Sequence, residues 1–166
     1  MTMGINGQTA PELRIAKWIG ADGKTLEKSL KLSDLGNEHK LLYCFQAWCP
    51  GCHSRGFPAL QKIHAELAGK RLEIAVIQTV FEGFEQNSED MIGQMQARYD
   101  LPVPFGHDVP APGTPYPTVM EDYRTAGTPW FILIDPDGQV AYNAFRLDAH
   151  RFVEAFQNSE HLEFQE

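Results

Sequence analysis

The stretch from Lys40 to Trp48, Lys-Leu-Leu-Tyr-Cys-Phe-Gln-Ala-Trp, carries apolar or aromatic side chains at nearly every position. A strand with one face in water alternates apolar and polar residues, whereas a strand covered on both faces does not. This run therefore predicts the central strand of a layered structure. Directly after it the spacing becomes helical. Phe57, Leu60, Ile63, His64 and Leu67 fall on one side of a helix expected from Pro50 to Leu67, with Pro58 kinking it and Gly69 ending it. A buried strand that passes at once into a helix needs a second layer on each face, and few architectures supply that.

The remaining patterns fit the same plan. Residues 72–80 read as a second buried strand rich in β-branched side chains, and a helix carrying Met91, Ile92, Met95 and Tyr99 follows. Val103-Pro104-Phe105 is a short strand candidate, and the four prolines between Pro110 and Pro117 mark a loop. Val119 to Tyr123 reads as a short helix. Trp130 to Ile134 is a strand, turned by Asp135-Pro136-Asp137-Gly138 into Gln139-Val140-Ala141-Tyr142, and Arg151 to Phe156 is a closing amphipathic helix. Residues 1–39 form an irregular lead-in. Within it Lys17-Trp18-Ile19 and Thr25-Leu26 suggest a β-hairpin about Asp22-Gly23, and Ser33 is placed to cap a short helical turn ending near Gly36. The expected class is α/β, a mixed sheet flanked by helices, built on a right-handed parallel strand-helix-strand unit and extended by the amino-terminal hairpin. One domain is expected over residues 1–166, with its core at about 8–157.

With 22 acidic against 14 basic residues the formal net charge is −8, which argues against binding nucleic acid or an anionic membrane. No apolar run approaches the roughly 20 residues that cross a bilayer. The first residues are neither basic nor apolar, so a cytoplasmic location is expected, or a periplasmic one if an export signal has been removed. Three cysteines are too few for a disulfide scaffold in a chain of this length, and two of them at close spacing point to chemistry.

Those two are Cys49 and Cys52 in Cys49-Pro50-Gly51-Cys52. Cys49 falls between strand and helix, where unpaired backbone N–H groups and the helix dipole favour a thiolate. Pro50 suits a first helical position. Cys52, about one turn on, is placed to attack a mixed disulfide formed at Cys49. Other readings exist. The pair with His53 satisfies the Cys-x-x-Cys-His pattern of covalent haem attachment, but a buried strand leads into it. Zinc would need two more ligands, and only Cys44, His53 and His64 are at hand. The pair would be inert in a purely structural reading. No metal and no cofactor are expected, and Cys44, within the strand, reads as a small buried apolar residue. Trp18, His107, Met91 and Met95 read as surface or core residues without chemistry. Thr128-Pro129, just before the strand at 130, is a candidate cis peptide.

The chain resembles the thioredoxin superfamily, and within it the TlpA-like thiol-disulfide reductases and their peroxiredoxin-like neighbours. The resemblance rests on Ala10-Pro11, the segment from Phe45 to Cys52, Phe57-Pro58, and the segment from Gly127 to Gly138. It implies a thioredoxin fold and a thiol-disulfide oxidoreductase in which Cys49 attacks and Cys52 resolves. It further implies a cis proline at Pro129, with Trp48, Pro50, Gly51, Thr128 and Pro129 meeting the substrate. The partners implied are a protein or small-molecule disulfide and a reductant. Two departures stand out. Thioredoxin carries a buried acid where this chain has Tyr43, and TlpA-like reductases often carry a glutamate where this chain has Arg55 and Gly56. Glu82, after the second strand, is the candidate substitute proton acceptor. Peroxiredoxins need a proline and a threonine where Leu42 and Gln46 stand, so a thiol peroxidase is a second reading. A redox-sensing or non-catalytic binding module is a third. His53 could bias Cys49 if protonated, although an exposed histidine with no role is the simpler expectation.

Overall fold

A computed structural model describes residues 3–158. The run at 40–48 overlaps β2 (His39–Phe45), which is buried at every position but the first. β2 pairs in parallel with β3 (Leu72–Thr79) and antiparallel with β5 (Trp130–Ile134). With β1 (Lys17–Ile19), β4 (Phe105–Asp108) and β6 (Val140–Ala144) they form one mixed sheet in the order β1-β4-β3-β2-β5-β6.

The lack of alternation in β2 has a direct cause. Leu41, Tyr43 and Phe45 face one apolar layer, and Leu42 and Cys44 face the other. α1 (Phe57–Leu67), α2 (Asp90–Arg98) and α4 (Ala149–Asn158) cover the first face through residues such as Phe57, Leu60, Ile92, Met95 and Phe152. The lead-in and α3 (Thr118–Tyr123) cover the second through Leu13, Ile15, Trp18, Val119 and Tyr123. Each fully buried Leu, Ile or Phe contributes about 1.5–3 kcal/mol, so both faces help to fix β2. This is a thioredoxin-like α/β fold.

Several boundaries differ from the sequence expectation for local reasons. The strand expected at 103–105 begins at Phe105, because Pro104 has no N–H and contributes only its carbonyl, which accepts from Val76 N at 2.9 Å. Ser33 lies inside its 3-10 turn and does not cap it; the turn (Leu32–Leu35) starts after Lys31, whose N–H donates to Asp34 Oδ2 at 2.8 Å. The amino-terminal hairpin is tight at its turn, with Gly20 N donating to Lys24 O at 2.8 Å and Gly23 at φ +82°. Its return arm is a single bridge, Ile19 to Thr25, and β1 pairs chiefly with β4 as the sheet edge. Trp18 lies buried in that lead-in, its ring packed on Gly106.

The helix expected from 50 to 67 is interrupted. Helical conformation begins at Pro50, widens to a π-turn over Cys52–Gly56, and becomes α1 only at Phe57. Pro58 removes the N–H that Ser54 O would otherwise accept, and the wider turn absorbs the mismatch. Leu67 ends α1, with Gly69 beyond it at φ +75°.

Candidate active site

The dithiol sits where β2 runs into the helical segment. Cys49 precedes the first helical residue, and its Sγ accepts from the N–H of Cys52 at 3.2 Å, as a capping side chain does. Cys49 N in turn donates to Gln46 O at 3.0 Å, which tightens the bend. The two sulfurs occupy different surroundings. Cys49 is partly exposed, Cys52 is fully buried, and both are free thiols.

That difference separates their ionisation. The Cys52 thiol donates to Cys49 Sγ and is the largest influence on Cys49, lowering it from 9.0 to about 6. Partial burial opposes this. The Thr128 side chain and the backbone N–H groups of Cys52 and Gly51 add to the lowering. Cys52 is pushed far up, first by burial and then by giving its proton to that hydrogen bond. The pair is therefore arranged as one thiolate and one thiol. No carboxylate is among the leading influences on Cys49. Cys44 is fully buried and burial pushes its thiol up, which leaves it unreactive.

The Thr128–Pro129 peptide is cis. Thr128 lines a groove of about 430 Å³ with Cys49, Trp48, Pro50, Phe81 and Glu82, and Pro129 lies behind Gly51. Trp48, Pro50 and Thr128 thus share one groove with Cys49. Glu82 is exposed at its wall.

The two departures from the family pattern prove to be one structural unit. The Tyr43 hydroxyl donates to Cys52 O at 3.0 Å in the interior. A Cβ at Gly56 would lie 2.0 Å from that hydroxyl, so the phenol fills the space a side chain at 56 would need. Burial above all raises the Tyr43 pKa, and the ring stays a neutral donor. His53 is not an exposed bystander. Its Nε2–H donates to Ala47 O at 2.5 Å, its Nδ1 accepts from the Tyr99 hydroxyl, and its ring stacks on Phe57 and Tyr99. His53 therefore ties the turn after the cysteines to the segment before them. Leu42 is buried in the layer opposite the helix that follows the dithiol, and Gln46 Oε1 accepts from Phe81 N at 3.3 Å.

Three residues that the sequence left unmarked complete the site. Asn87, 1% exposed, accepts from Trp48 N at 3.2 Å and donates Nδ2 to Glu82 O and Gly83 O, both at 3.1 Å. Gly83 lies against the Trp48 indole, where a Cβ would come within 2.8 Å, and adopts φ +59°. Gln78, fully buried, accepts from Ala47 N and donates to Ser88 O and His107 Nδ1. Polar residues in a loop read as solvated, and the usable signal was a glutamine inside the apolar run of β3.

A family model for redoxin matches residues 5–157. This chain belongs to the redoxin family. The redoxin is 30% identical to a thioredoxin-like superfamily protein of known structure, with a TM-score of 0.74 over 85% of this chain and 88% of that one. It is 25% identical to a thiol-disulfide isomerase from Corynebacterium glutamicum, with a TM-score of 0.74 over 95% and 98% of the two chains. The thioredoxin domain of a thiol-disulfide oxidoreductase from Bacteroides vulgatus shares the fold at 21% identity, with a TM-score of 0.69 over 93% and 99%. No curated protein matches the sequence. The family match and the likeness to the Corynebacterium isomerase place the redoxin among thioredoxin-like oxidoreductases. Among the described residues no helix is long and apolar enough to cross a membrane, and no three His, Cys, Asp or Glu side chains gather to hold a metal ion.

Proposed function

We propose that this redoxin is a thiol-disulfide oxidoreductase in which Cys49 is the nucleophile and Cys52 the resolving thiol. The observation that carries this reading is the asymmetry of the pair: Cys49 opens on the groove and accepts hydrogen bonds, while Cys52 is buried behind it and donates. Cys49 thiolate attacks one sulfur of a substrate disulfide, forming a mixed disulfide and expelling the other sulfur as a thiolate. Cys52 then loses its proton and attacks the Cys49 sulfur, forming the Cys49–Cys52 disulfide and releasing the second thiolate. Two electrons pass to the substrate, whose two sulfurs leave as thiolates and take their protons from solvent. The one thiol proton of the pair leaves Cys52, and an external thiol reductant returns two electrons to the protein. Trp48, Pro50, Gly51, Thr128 and Pro129 form the surface on which the substrate lies.

Tyr43 is engaged as a donor, so it is unsuited to take the proton from Cys52. Glu82, the carboxylate on the groove wall, is the acceptor in this scheme. An unchanged pH dependence of thiol reactivity in Glu82→Gln removes it. Peroxidase chemistry is less well supported, since Gln46 turns its side chain to Phe81 and offers no hydroxyl to orient a peroxide. The assignment of the cysteines is tested with Cys52→Ser in the presence of a disulfide substrate and reductant. A mixed disulfide should accumulate at Cys49. If none accumulates while the wild type turns over, the roles are wrong.

A further inference from the structure

The dithiol groove continues on both sides. Phe145 lines it and also a cavity of about 250 Å³ beyond Pro129, whose wall includes Arg55 and Arg146. Phe81 and Ala126 line it and also a cavity of about 640 Å³ walled by Met3, Tyr116 and Met120. Three cavities in a row suit a length of extended chain better than one small ligand, which occupies roughly 300–1,000 Å³ in a single pocket.

Both flanks carry cationic side chains, Arg55 and Arg146 next to Pro129 and Arg124 at the 640 Å³ end. Arg55 and Arg146 are exposed, and neither makes an ion pair or side-chain hydrogen bond among the described residues. The Arg55 guanidinium lies over the dithiol loop itself, 3.0 Å from where a Cβ on Gly51 would sit. Asp148, on the same wall, turns its carboxylate to Arg151 N at 3.1 Å, at the start of α4. In the dithiol groove, next to Cys49, the charged wall residue is Glu82. At the far end Glu121 already faces Arg14 at 3.5 Å, and Arg124 is exposed, farther from the dithiol than Arg55. In a chain of net charge −8, two unengaged guanidinium groups at the rim of the site stand out against the general field.

We propose that Arg55 and Arg146 are specificity residues that select a polypeptide disulfide carrying an acidic residue beside its cysteine. The inference rests on the oxidoreductase reading above and names the substrate class it takes. Arg55 and Arg146 hold the carboxylate on the Pro129 side of Cys49, and the remainder of the segment runs past Trp48 toward Met120. Glu82 disfavours the same acid immediately on the opposite side of Cys49, so the two arginines and Glu82 together set direction for the residue next to the cysteine.

The test uses short single-cysteine peptides activated as neutral 2-thiopyridyl disulfides, with glutamate either before or after the cysteine, and matching peptides with lysine. Reduced protein attacks the peptide sulfur and releases thiopyridone, read by absorbance. In one of the two orders the glutamate peptide should react about fivefold faster than its lysine counterpart at low salt, the yield of one or two exposed ion pairs. The preference should shrink with salt and reverse in Arg55→Glu/Arg146→Glu. Taking the ratio within each protein cancels any change in Cys49 itself, and the overall negative charge alone would favour lysine. Ratios within twofold in both orders, or a preference that survives the charge reversal, overturn the proposal. Dithiodipyridine, neutral and without a peptide, separates the levels. If it reacts normally while peptides show no selectivity, only the present inference fails. If it does not react at Cys49, the dithiol reading fails as well.

Discussion

Gly56→Ala examines how the helical turn is seated on the central strand. Gly56 has ordinary helical dihedrals, φ −65° and ψ −58°, so alanine meets no backbone penalty there and should gain about 0.5–1 kcal/mol of helix preference. Space decides the outcome instead. The new Cβ would lie 2.0 Å from Tyr43 Oη and 2.7 Å from Cζ. Tyr43 is fully buried, with ring centroids of Phe57 and Phe131 at 5.0 and 4.9 Å, so its ring yields only by displacing its neighbours. Overpacking costs about 1–3 kcal/mol, and displacing the hydroxyl from Cys52 O adds about 1 kcal/mol. The net loss is about 2 kcal/mol, a melting point lower by roughly 4–8 °C for a chain of this size. Gly93→Ala is the matched comparison: helical, with nothing within 4 Å of its Cβ, it should gain about 0.5–1 kcal/mol. Urea denaturation of both variants measures the two signs. Gly56→Ala as stable as wild type would refute the packing argument.

Asn87→Ala leaves Trp48 N and the carbonyls of Glu82 and Gly83 without that partner, and should cost about 2 kcal/mol in urea denaturation. Acrylamide quenching of the Trp48 contribution should rise in the same variant, since the loop under the indole loosens. Thr128→Val keeps the shape of the side chain but removes a hydrogen bond to Cys49, so the Cys49 pKa should rise above about 6 and alkylation near that pH should slow.

The fold was legible where one residue type had one physical use. Residues 40–48 announced a doubly covered strand because no face of β2 meets water. That Cys49 and Cys52 lie side by side where the central strand gives way to a helical segment was legible from their spacing and from the change of periodicity after Trp48. Other features depend on contacts between distant segments. Tyr43 and Gly56 meet only once the helical segment lies on β2, and a glycine two residues before Pro58 was the available hint. Asn87 and Gln78 are buried polar residues whose partners are mostly backbone groups, and a single sequence does not show where a backbone amide will need an acceptor. His53 misled for the same reason, because its partners Ala47 and Tyr99 come from before and far after it.

Titration of the thiolate absorbance of the reduced protein, with Cys49→Ser as the reference, tests the central claim most directly. Below its pKa Cys49 is a thiol and a poor nucleophile, so absorbance and alkylation rate should rise together as pH increases through about 6. Cys52 should remain protonated across the neutral range. The account predicts one thiolate titrating near pH 6 that disappears in Cys49→Ser. A first thiolate appearing only near 9, or one retained in Cys49→Ser, would contradict it.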